Sequence, residues 1–268
     1  MSRLPSGAAC AGRPAVRWVG IVNVTPDSFS DGGTAVEPAA AARRAAELVA
    51  AGAEGVDVGA ESTRPGFLPV HWREEMRRLE GTLPAIREAV GGRAWVSVDT
   101  RKGTVAAAAV RLGADVLNDV GGAASRGMKD FLASYRGRYV LTHGMAHVLE
   151  PDDARPVETV ARWLRRKLRQ LEDLGVPREN IAVDPGIGFG TTREQDAALF
   201  DGLDGICAIG QEVWLGLSRK RIVRQLQRSG EDLDAASWRL ALAAVGRVAD
   251  GGKTVLLRMH RPFGSWER

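Results

Sequence analysis

The stretch Ala94–Thr100, AWVSVDT, shows the unit from which the fold of this chain is predicted. Its short run of aromatic and β-branched residues is typical of a buried strand. The run stops at two small polar residues, Asp99 and Thr100, and an Ala-rich segment with a helical pattern follows over Gly103–Leu112. A strand, a polar end and a helix therefore make one unit, and the chain repeats it.

Strand-like runs alternate with Ala-, Leu- and Arg-rich segments along the chain, and Gly or Pro separates most of them. The predicted strands are Arg17–Val22, Gly55–Val58, Ala94–Val98, Asp115–Asn118, Arg138–Leu141, Asn180–Val183, Val213–Gly216 and Thr254–Arg258. The predicted helices are Pro38–Ala51, Arg73–Val90, Gly103–Leu112, Met128–Tyr135, Val157–Leu174, Glu194–Phe200, Lys220–Gln227 and Leu233–Val248.

This alternation predicts an α/β protein with a single-domain (β/α)₈ TIM barrel, and an open doubly wound sheet is the alternative. Polar residues follow seven of the strands, always at the same end: Asn23, Ser62–Gly66, Asp99 and Thr100, Asn118 and Asp119, Asp184–Gly186, Ser218–Lys220, and Arg258–His260. A barrel gathers the carboxyl ends of all its strands at one mouth, whereas an open sheet uses mainly its switch point. The repeated polar ends therefore favour the barrel.

The two ends of the chain depart from a regular barrel. We predict a disordered arm over residues 1–15 and the barrel over residues 16–268. Only ten residues follow Arg258, and Pro262 and Gly264 are among them. Because Pro and Gly interrupt helices, the final helix is predicted to be missing or very short.

The composition excludes several classes of protein. The net charge is +4, but the cationic residues are spread along the chain, which favours small anionic substrates over nucleic acid. No run of about eighteen apolar residues occurs, so no membrane span is predicted. Cys10 and Cys207 form no redox or metal spacing, and a cytoplasmic location is expected.

The polar residues at the predicted mouth include two carboxylates, two carboxamides and several cations: Asp99, Asp184, Asn23, Asn118, Arg64, Lys220, Arg258 and His260. A carboxylate can accept two parallel hydrogen bonds from the edge of an aminopyrimidinone ring. Arg258 and His260 are two residues apart on a strand, so both face one side and could bind a phosphate or pyrophosphate. The set therefore suits one flat polar molecule and one anionic group.

Six segments, in order along the chain, resemble the dihydropteroate synthases: GIVNVTPDSFSDGG, DVGAESTRPG, SVDT, GADVLNDVGG, DPGIGFG and GLSRK. The resemblance runs from about Gly20 to His260 and implies a (β/α)₈ barrel. It also implies a transferase of folate biosynthesis that joins 6-hydroxymethyl-7,8-dihydropterin pyrophosphate to p-aminobenzoate. Pyrophosphate is released, and Mg²⁺ is the implied cofactor.

The resemblance implies a role for each matching residue. The pterin would be bound by Asp99, Asn118, Asp184 and Lys220. The pyrophosphate would be bound by Asn23, Thr63, Arg64, Arg258 and His260, with Asn23 as the metal ligand. The p-aminobenzoate would lie near Thr63, Pro65, Phe189 and Ser218. Catalysis would fall to Asp99, Lys220, Arg258 and His260.

The chain departs from the family pattern at Ala60, Thr142–Gly144, Thr191 and Arg261. The helices near the short carboxyl end help form a dimer in this family, so a homodimer is expected to be weakened or altered. A non-catalytic pterin-binding paralogue stays open as an alternative. A pterin-dependent methyltransferase is a further alternative, which would not need Arg258 and His260 for a pyrophosphate.

The polar segment Thr25–Gly33 is predicted to be a loop that closes over the substrate, since Pro26 turns it and Gly32-Gly33 ends it.

Overall fold

The computed structural model describes residues 16–25, 37–62, 68–145, 147–246 and 254–264. The strands are β1 (Val16–Asn23), β2 (Gly55–Gly59), β3 (Trp95–Asp99), β4 (Val116–Asp119), β5 (Arg138–Thr142), β6 (Ile181–Asp184), β7 (Val213–Leu215) and β8 (Val255–Met259). The helices are α1 (Pro38–Ala50), α2 (Trp72–Val90), α3 (Gly103–Arg111), α4 (Arg126–Leu132), α5 (Pro156–Asp173), α6 (Arg193–Asp201), α7 (Leu203–Cys207), α8 (Arg221–Leu226) and α9 (Leu233–Val245).

The eight strands close into a parallel barrel in sequence order, and β8 pairs with β1. The predicted (β/α)₈ barrel is thereby confirmed, and the open doubly wound sheet is excluded because each strand pairs with two neighbours. Predicted and observed strands agree to within one or two residues at each end. One difference lies between β6 and β7, where a second short helix, α7, follows α6 after Gly202.

The barrel interior has an apolar floor and a polar mouth. Seven interior residues form the floor: Val19, Trp95, Val116, Val140, Ala182, Trp214 and Leu256. The rings of Trp95 and Trp214 lie 5.6 Å apart. They leave no room beside Gly55, where a Cβ would lie 2.3 Å from the Trp95 ring. Bulky side chains therefore close the amino-terminal half of the barrel and leave the other half for chemistry.

Side chains alternate in direction along a strand, so the residue two positions beyond each floor residue also faces the interior. These residues are polar on five strands: Ser97, Asn118, Thr142, Asp184 and Arg258. The intervening outward residues, such as Val98, Leu117 and Val183, are buried in the core that the helices cover. One face of each strand thus stabilises the wall, and the other carries polar groups to the mouth.

The wall beside β8 is covered mainly by α9. Trp238 of α9 donates a hydrogen bond from Nε1 to the Arg261 carbonyl oxygen at 2.9 Å. Its ring also packs edge-on against Trp18 and Phe263. Residues 260–264 follow β8 without forming a helix. The predicted arm over residues 1–15 lies outside the described residues, as do residues 265–268. None of the helices described is both long and apolar enough to span a bilayer.

Candidate active site

Strand register brings three predicted site residues into one row at the barrel mouth. Asn23 pairs in register with Gly59, Gly59 with Asp99, and Asp99 with Asn118. Gly59 has no side chain, and a Cβ there would lie 3.6 Å from Asn23 Oδ1 and 3.9 Å from Asp99 Cβ. The glycine therefore places no side chain between the carboxamide and the carboxylate.

Arg258 connects this row to the interior of the barrel. Its Nη2 donates to Asp99 Oδ2 at 3.1 Å and also forms a short ion pair with Asp57. Burial alone would lower the pKa of Arg258, but the surrounding charges of Asp57, Asp99 and Asp184 raise it overall. The guanidinium is consequently a permanent positive charge in the mouth.

Asp99 is poised between its two protonation states. Burial raises the pKa of its carboxyl to about 7, although the charge of Arg258 opposes the shift. The negative charges of Asp57, Glu75 and Asp119 add to the increase. Near neutral pH, Asp99 can therefore either accept a hydrogen bond as a carboxylate or donate one as an acid.

Asp184 and Lys220 face each other across Gly216. A Cβ on Gly216 would lie 3.7 Å from Asp184 Oδ2, Lys220 Nζ and Arg258 Nη1 alike. Burial raises the pKa of Asp184, and the charge of Lys220 partly opposes the increase. Burial lowers the pKa of Lys220 to about 8, and the charge of Asp184 opposes that decrease. The two groups therefore stabilise each other's charged form in a site with little water access.

The loop after β6 holds these two groups in place. Asp184 Oδ1 accepts a hydrogen bond from the Gly186 peptide nitrogen at 2.7 Å, and Lys220 Nζ donates to the Ile187 carbonyl oxygen at 2.5 Å. Gly186 has φ +74°, and a Cβ there would lie 1.6 Å from the His143 carbonyl oxygen. Only glycine fits this turn. Lys220 Nζ also lies 4.2 Å from the centre of the Phe189 ring, a cation–π contact.

Ser218 and His260, which were predicted for different substrates, contact each other. Ser218 Oγ lies 2.9 Å from His260 Nδ1 and accepts a hydrogen bond from the His260 peptide nitrogen at 3.3 Å. The ends of β7 and β8 are thereby joined at the mouth. The predicted p-aminobenzoate and pyrophosphate sites would share this edge.

Of the four residues predicted to lie near p-aminobenzoate or pyrophosphate on loops, the structure describes Phe189 but not Thr63, Arg64 or Pro65. Phe189 lies against Gly144, where a Cβ would be 2.8 Å from Phe189 Cβ. Thr63, Arg64 and Pro65 lie outside the described residues, as does most of the predicted closing loop, from residue 26 onward. Their roles stay predictions.

The departures from the family pattern have distinct structural settings. Ala60 is fully buried in the core, and Thr142 points into the barrel interior. Arg261 forms an ion pair with Asp234 at 3.3 Å. Thr191 hydrogen-bonds to the buried carboxylate of Asp196.

A cation lies close to Thr191, although that residue itself is neutral. Arg221 Nη2 donates to the Thr191 carbonyl oxygen at 2.7 Å and to Asp196 Oδ2 at 2.6 Å. The loop after β6 therefore has a positively charged neighbour from α8.

Asp57 was missed by reasoning from the sequence. Its Oδ2 accepts a hydrogen bond from Asn118 Nδ2 at 3.0 Å and also contacts Arg258. The signal was present, because Asp57 is an acidic residue in the middle of the otherwise apolar strand GVDVG. Asp57 lies within its strand, whereas the site was predicted from residues that follow the strands.

Several buried polar atoms on the interior positions have no hydrogen-bond partner among the described residues. They are Asp57 Oδ1, Asp99 Oδ1, Arg258 Nε, Ser97 Oγ and Thr142 Oγ1. Buried polar atoms in proteins are nearly always hydrogen-bonded, so such a concentration indicates a place where a polar ligand binds. Ser97 and Thr142 were also absent from the predicted set.

The part of the chain that the structure describes has no group of three or more His, Cys, Asp or Glu side chains arranged to hold a metal. A metal caged by the protein does not fit these residues. Mg²⁺ often takes only one or two protein oxygens and fills its remaining positions with water and phosphate oxygens. The single carboxamide oxygen of Asn23, with no side chain at Gly59 between it and Asp99, fits an ion of that kind.

Comparison with known proteins adds independent evidence. A family described as pterin binding enzyme matches residues 19–254. The dihydropteroate synthase of Streptococcus pyogenes serotype M1 is 37% identical over 243 residues, which cover 90% of this chain and 89% of that protein.

Two solved structures are similar along almost the whole chain. The structure of Xanthomonas albilineans dihydropteroate synthase with 4-aminobenzoic acid has a TM-score of 0.81 and 37% identity, covering 92% of this chain and 88% of its own. The structure of Anaplasma phagocytophilum dihydropteroate synthase with bound 6-hydroxymethylpterin-monophosphate has a TM-score of 0.80 and 33% identity, covering 92% and 94%.

Proposed function

Because the chain belongs to the family of pterin-binding enzymes, we propose that it is a dihydropteroate synthase. It joins 6-hydroxymethyl-7,8-dihydropterin pyrophosphate to p-aminobenzoate and releases pyrophosphate. The resemblance that the sequence motifs indicated is confirmed by the family match over residues 19–254 together with the similarity to known dihydropteroate synthases. The main support for the proposed site is that polar atoms of Asp184, Lys220 and Arg258 lie together around Gly216.

The pterin ring would bind among Asp99, Asn118, Asp184 and Lys220. Asp184 Oδ2 would accept hydrogen bonds from the N–H groups on the aminopyrimidinone edge, and Lys220 Nζ would donate to the ring carbonyl oxygen. Burying these charged groups costs free energy. A ligand with matching donors and acceptors would offset that cost, which supports this role.

The reaction forms one bond and breaks one bond at the pterin methylene carbon. The carbon–oxygen bond breaks first, and its electron pair leaves with the pyrophosphate. The amine nitrogen of p-aminobenzoate then forms the new carbon–nitrogen bond with its lone pair and releases a proton to water. An arylamine is largely neutral near pH 7, so no dedicated base is needed. Early departure of pyrophosphate leaves a delocalised cation on the pterin, which the Asp99 carboxylate would stabilise.

Negative charge that develops on the leaving pyrophosphate would be met by Arg258 and His260, with Arg64 as a further predicted contact. Asn23 would supply the protein ligand to Mg²⁺, which would neutralise pyrophosphate oxygens when bound. A carboxamide suits this position because it offers an oxygen without adding a negative charge next to the pyrophosphate.

The p-aminobenzoate would lie along Phe189 and Ser218, with Thr63 and Pro65 as the other predicted contacts. Two features support this placement. Phe189 offers a ring face beside Lys220, and Ser218 lies at the edge that His260 shares. A homodimer and a cytoplasmic location stay predictions.

The purified chain tests this function directly. We expect it to release pyrophosphate and form 7,8-dihydropteroate when given the pterin pyrophosphate, p-aminobenzoate and Mg²⁺. Binding of the pterin pyrophosphate without turnover would instead support the non-catalytic paralogue. Transfer of a methyl group from methyltetrahydrofolate, with no pyrophosphate release, would support the methyltransferase.

A further inference from the structure

Asp57 lies at the centre of a buried network that joins the two halves of the mouth. Its side chain is fully buried on β2, and its two contacts come from β4 and β8. Both donors, Asn118 Nδ2 and Arg258 Nη2, reach the same oxygen, Oδ2. A carboxylate oxygen has two lone pairs, so it can accept both hydrogen bonds at once.

We propose that Asp57 is a positioning residue, which sets the orientation of the Asn118 carboxamide and holds the Arg258 guanidinium next to it. The role rests on the proposed function only in that the ligand is a pterin. Asp57 lies one interior layer below Asp99 on the neighbouring strand, since Asp57 pairs with Ser97 and Gly59 pairs with Asp99. It would therefore act on the ligand through its neighbours.

The orientation of Asn118 follows from the chemistry of its partner. An ionised carboxylate only accepts hydrogen bonds, so the amide nitrogen of Asn118 must face Asp57 and the amide oxygen must point elsewhere. One amide hydrogen is thus used by Asp57, which leaves Oδ1 and the second hydrogen for a ligand. Without Asp57 the carboxamide could rotate by half a turn, and the pattern of donor and acceptor offered to a pterin would be reversed.

The contact with Arg258 gives Asp57 a second effect. Arg258 Nη2 is shared between Asp57 and Asp99, which lies 3.1 Å away. Removing the charge of Asp57 would leave Asp99 as the sole carboxylate paired with this guanidinium at ion-pair distance among the described residues. The guanidinium would then move toward Asp99, which is the group proposed to stabilise the pterin cation.

A double-mutant cycle tests the positioning role. The binding of 6-hydroxymethylpterin is measured by calorimetry for the native chain, Asp57→Asn, Asn118→Ala and the double variant. We expect Asp57→Asn to weaken binding about tenfold or more when Asn118 is present, since hydrogen bonds to charged groups are strong. In the Asn118→Ala background the same substitution should weaken binding by less than about threefold, because its main target is gone.

Two further measurements separate positioning from general destabilisation. Asp57→Asn should lower kcat while leaving the KM for p-aminobenzoate unchanged. Asp115→Asn is the control for losing an acidic side chain that an arginine contacts. Asp115 accepts from Arg87 and from the Val96 peptide nitrogen, but it is partly exposed and lies just before β4, at the opposite end of the barrel from the mouth. The variant's binding of 6-hydroxymethylpterin should stay within about twofold of the native value.

Equal losses from Asp57→Asn in the two backgrounds, or no loss in either, would overturn the positioning role. If Asp57→Asn does not fold, the double-mutant cycle is measured with Asp57→Ser instead. The loss of binding should again be larger when Asn118 is present than in the Asn118→Ala background. A native chain that binds 6-hydroxymethylpterin and turns over its substrates upholds the proposed function whatever the cycle gives. A native chain that does neither overturns both.

Discussion

Replacing Asp184 with Asn removes one charge from the mouth and almost no volume. The new amide oxygen can still accept the hydrogen bond that Asp184 Oδ1 now accepts from the Gly186 peptide nitrogen at 2.7 Å. The amide nitrogen would then take the place of Oδ2, the atom that faces Lys220 and Arg258 across Gly216. A donor would stand where the N–H groups of the pterin require an acceptor.

The loss can be sized from these contacts. Hydrogen bonds to charged groups contribute about 1.5 to 3 kcal/mol each, and a mismatched donor adds the cost of an unsatisfied ligand group. We therefore expect Asp184→Asn to weaken binding of 6-hydroxymethylpterin by about 2 to 4 kcal/mol, or about 30-fold to about 900-fold. The KM for p-aminobenzoate should change little.

The same substitution has two opposing effects on the stability of the fold. Burial raises the pKa of Asp184, so the folded chain holds its proton more tightly than the unfolded chain does. The ionised carboxylate therefore costs stability, and this cost appears as the pH rises above the unfolded pKa. Asp184→Asn removes that cost, but it also removes a charge that stabilises the buried cations of Lys220 and Arg258. Because the two effects oppose each other, we expect only a small change in the melting temperature at pH 7.

Calorimetric titration with 6-hydroxymethylpterin, alongside thermal unfolding, checks both statements. Asp115→Asn serves again as the control for loss of an acid bound by an arginine. Less than about threefold weakening in a folded Asp184→Asn protein would refute the pterin assignment of Asp184. A large drop in melting temperature would refute the expected balance between the cost of the buried carboxylate and its stabilisation of Lys220 and Arg258.

Turnover is expected to fall below about pH 7, where Asp99 takes up a proton, and above about pH 8, where Lys220 loses one. A pH–rate profile without these two limbs would contradict the roles assigned to Asp99 and Lys220. Asp184→Asn should move the alkaline limb to lower pH, because the charge of Asp184 raises the pKa of Lys220. Arg258→Ala should reduce kcat more than the affinity for 6-hydroxymethylpterin, and equal losses in both would count against a role at the pyrophosphate. Asn23→Ala should raise the Mg²⁺ concentration needed for half-maximal turnover, while an unchanged requirement would remove Asn23 as the metal ligand.

The barrel was predictable because its signal is local and repeated. Short runs such as Ala94–Val98, each followed by polar residues and a helical pattern, identify strands whatever surrounds them. Because the strands run parallel, the polar residues that follow each of them lie at the same mouth of the barrel. Asp99, Asn118, Asp184, Lys220 and Arg258 could be selected on that ground, and the structure brings them together.

Other parts of the site carry no local signal. Asp57 lies inside a strand, and its importance depends on the register that places it beside residues 61 and 201 positions further along the chain, Asn118 and Arg258. Ser97 and Thr142 look like ordinary strand residues until the barrel closes and turns their hydroxyls inward. The contact between Ser218 and His260 likewise depends on β7 and β8 being neighbours.

The sequence by itself determined the order of the strands, the end of the barrel at which the polar residues gather and most of the side chains of the candidate site. These depend on residue type and on spacings of a few residues. The tertiary structure alone decided which charges share a partner, since that depends on distances between different strands. It also decided the direction in which the pKa values of Asp99 and Lys220 shift, because burial acts on a pKa only once the barrel has closed around the group.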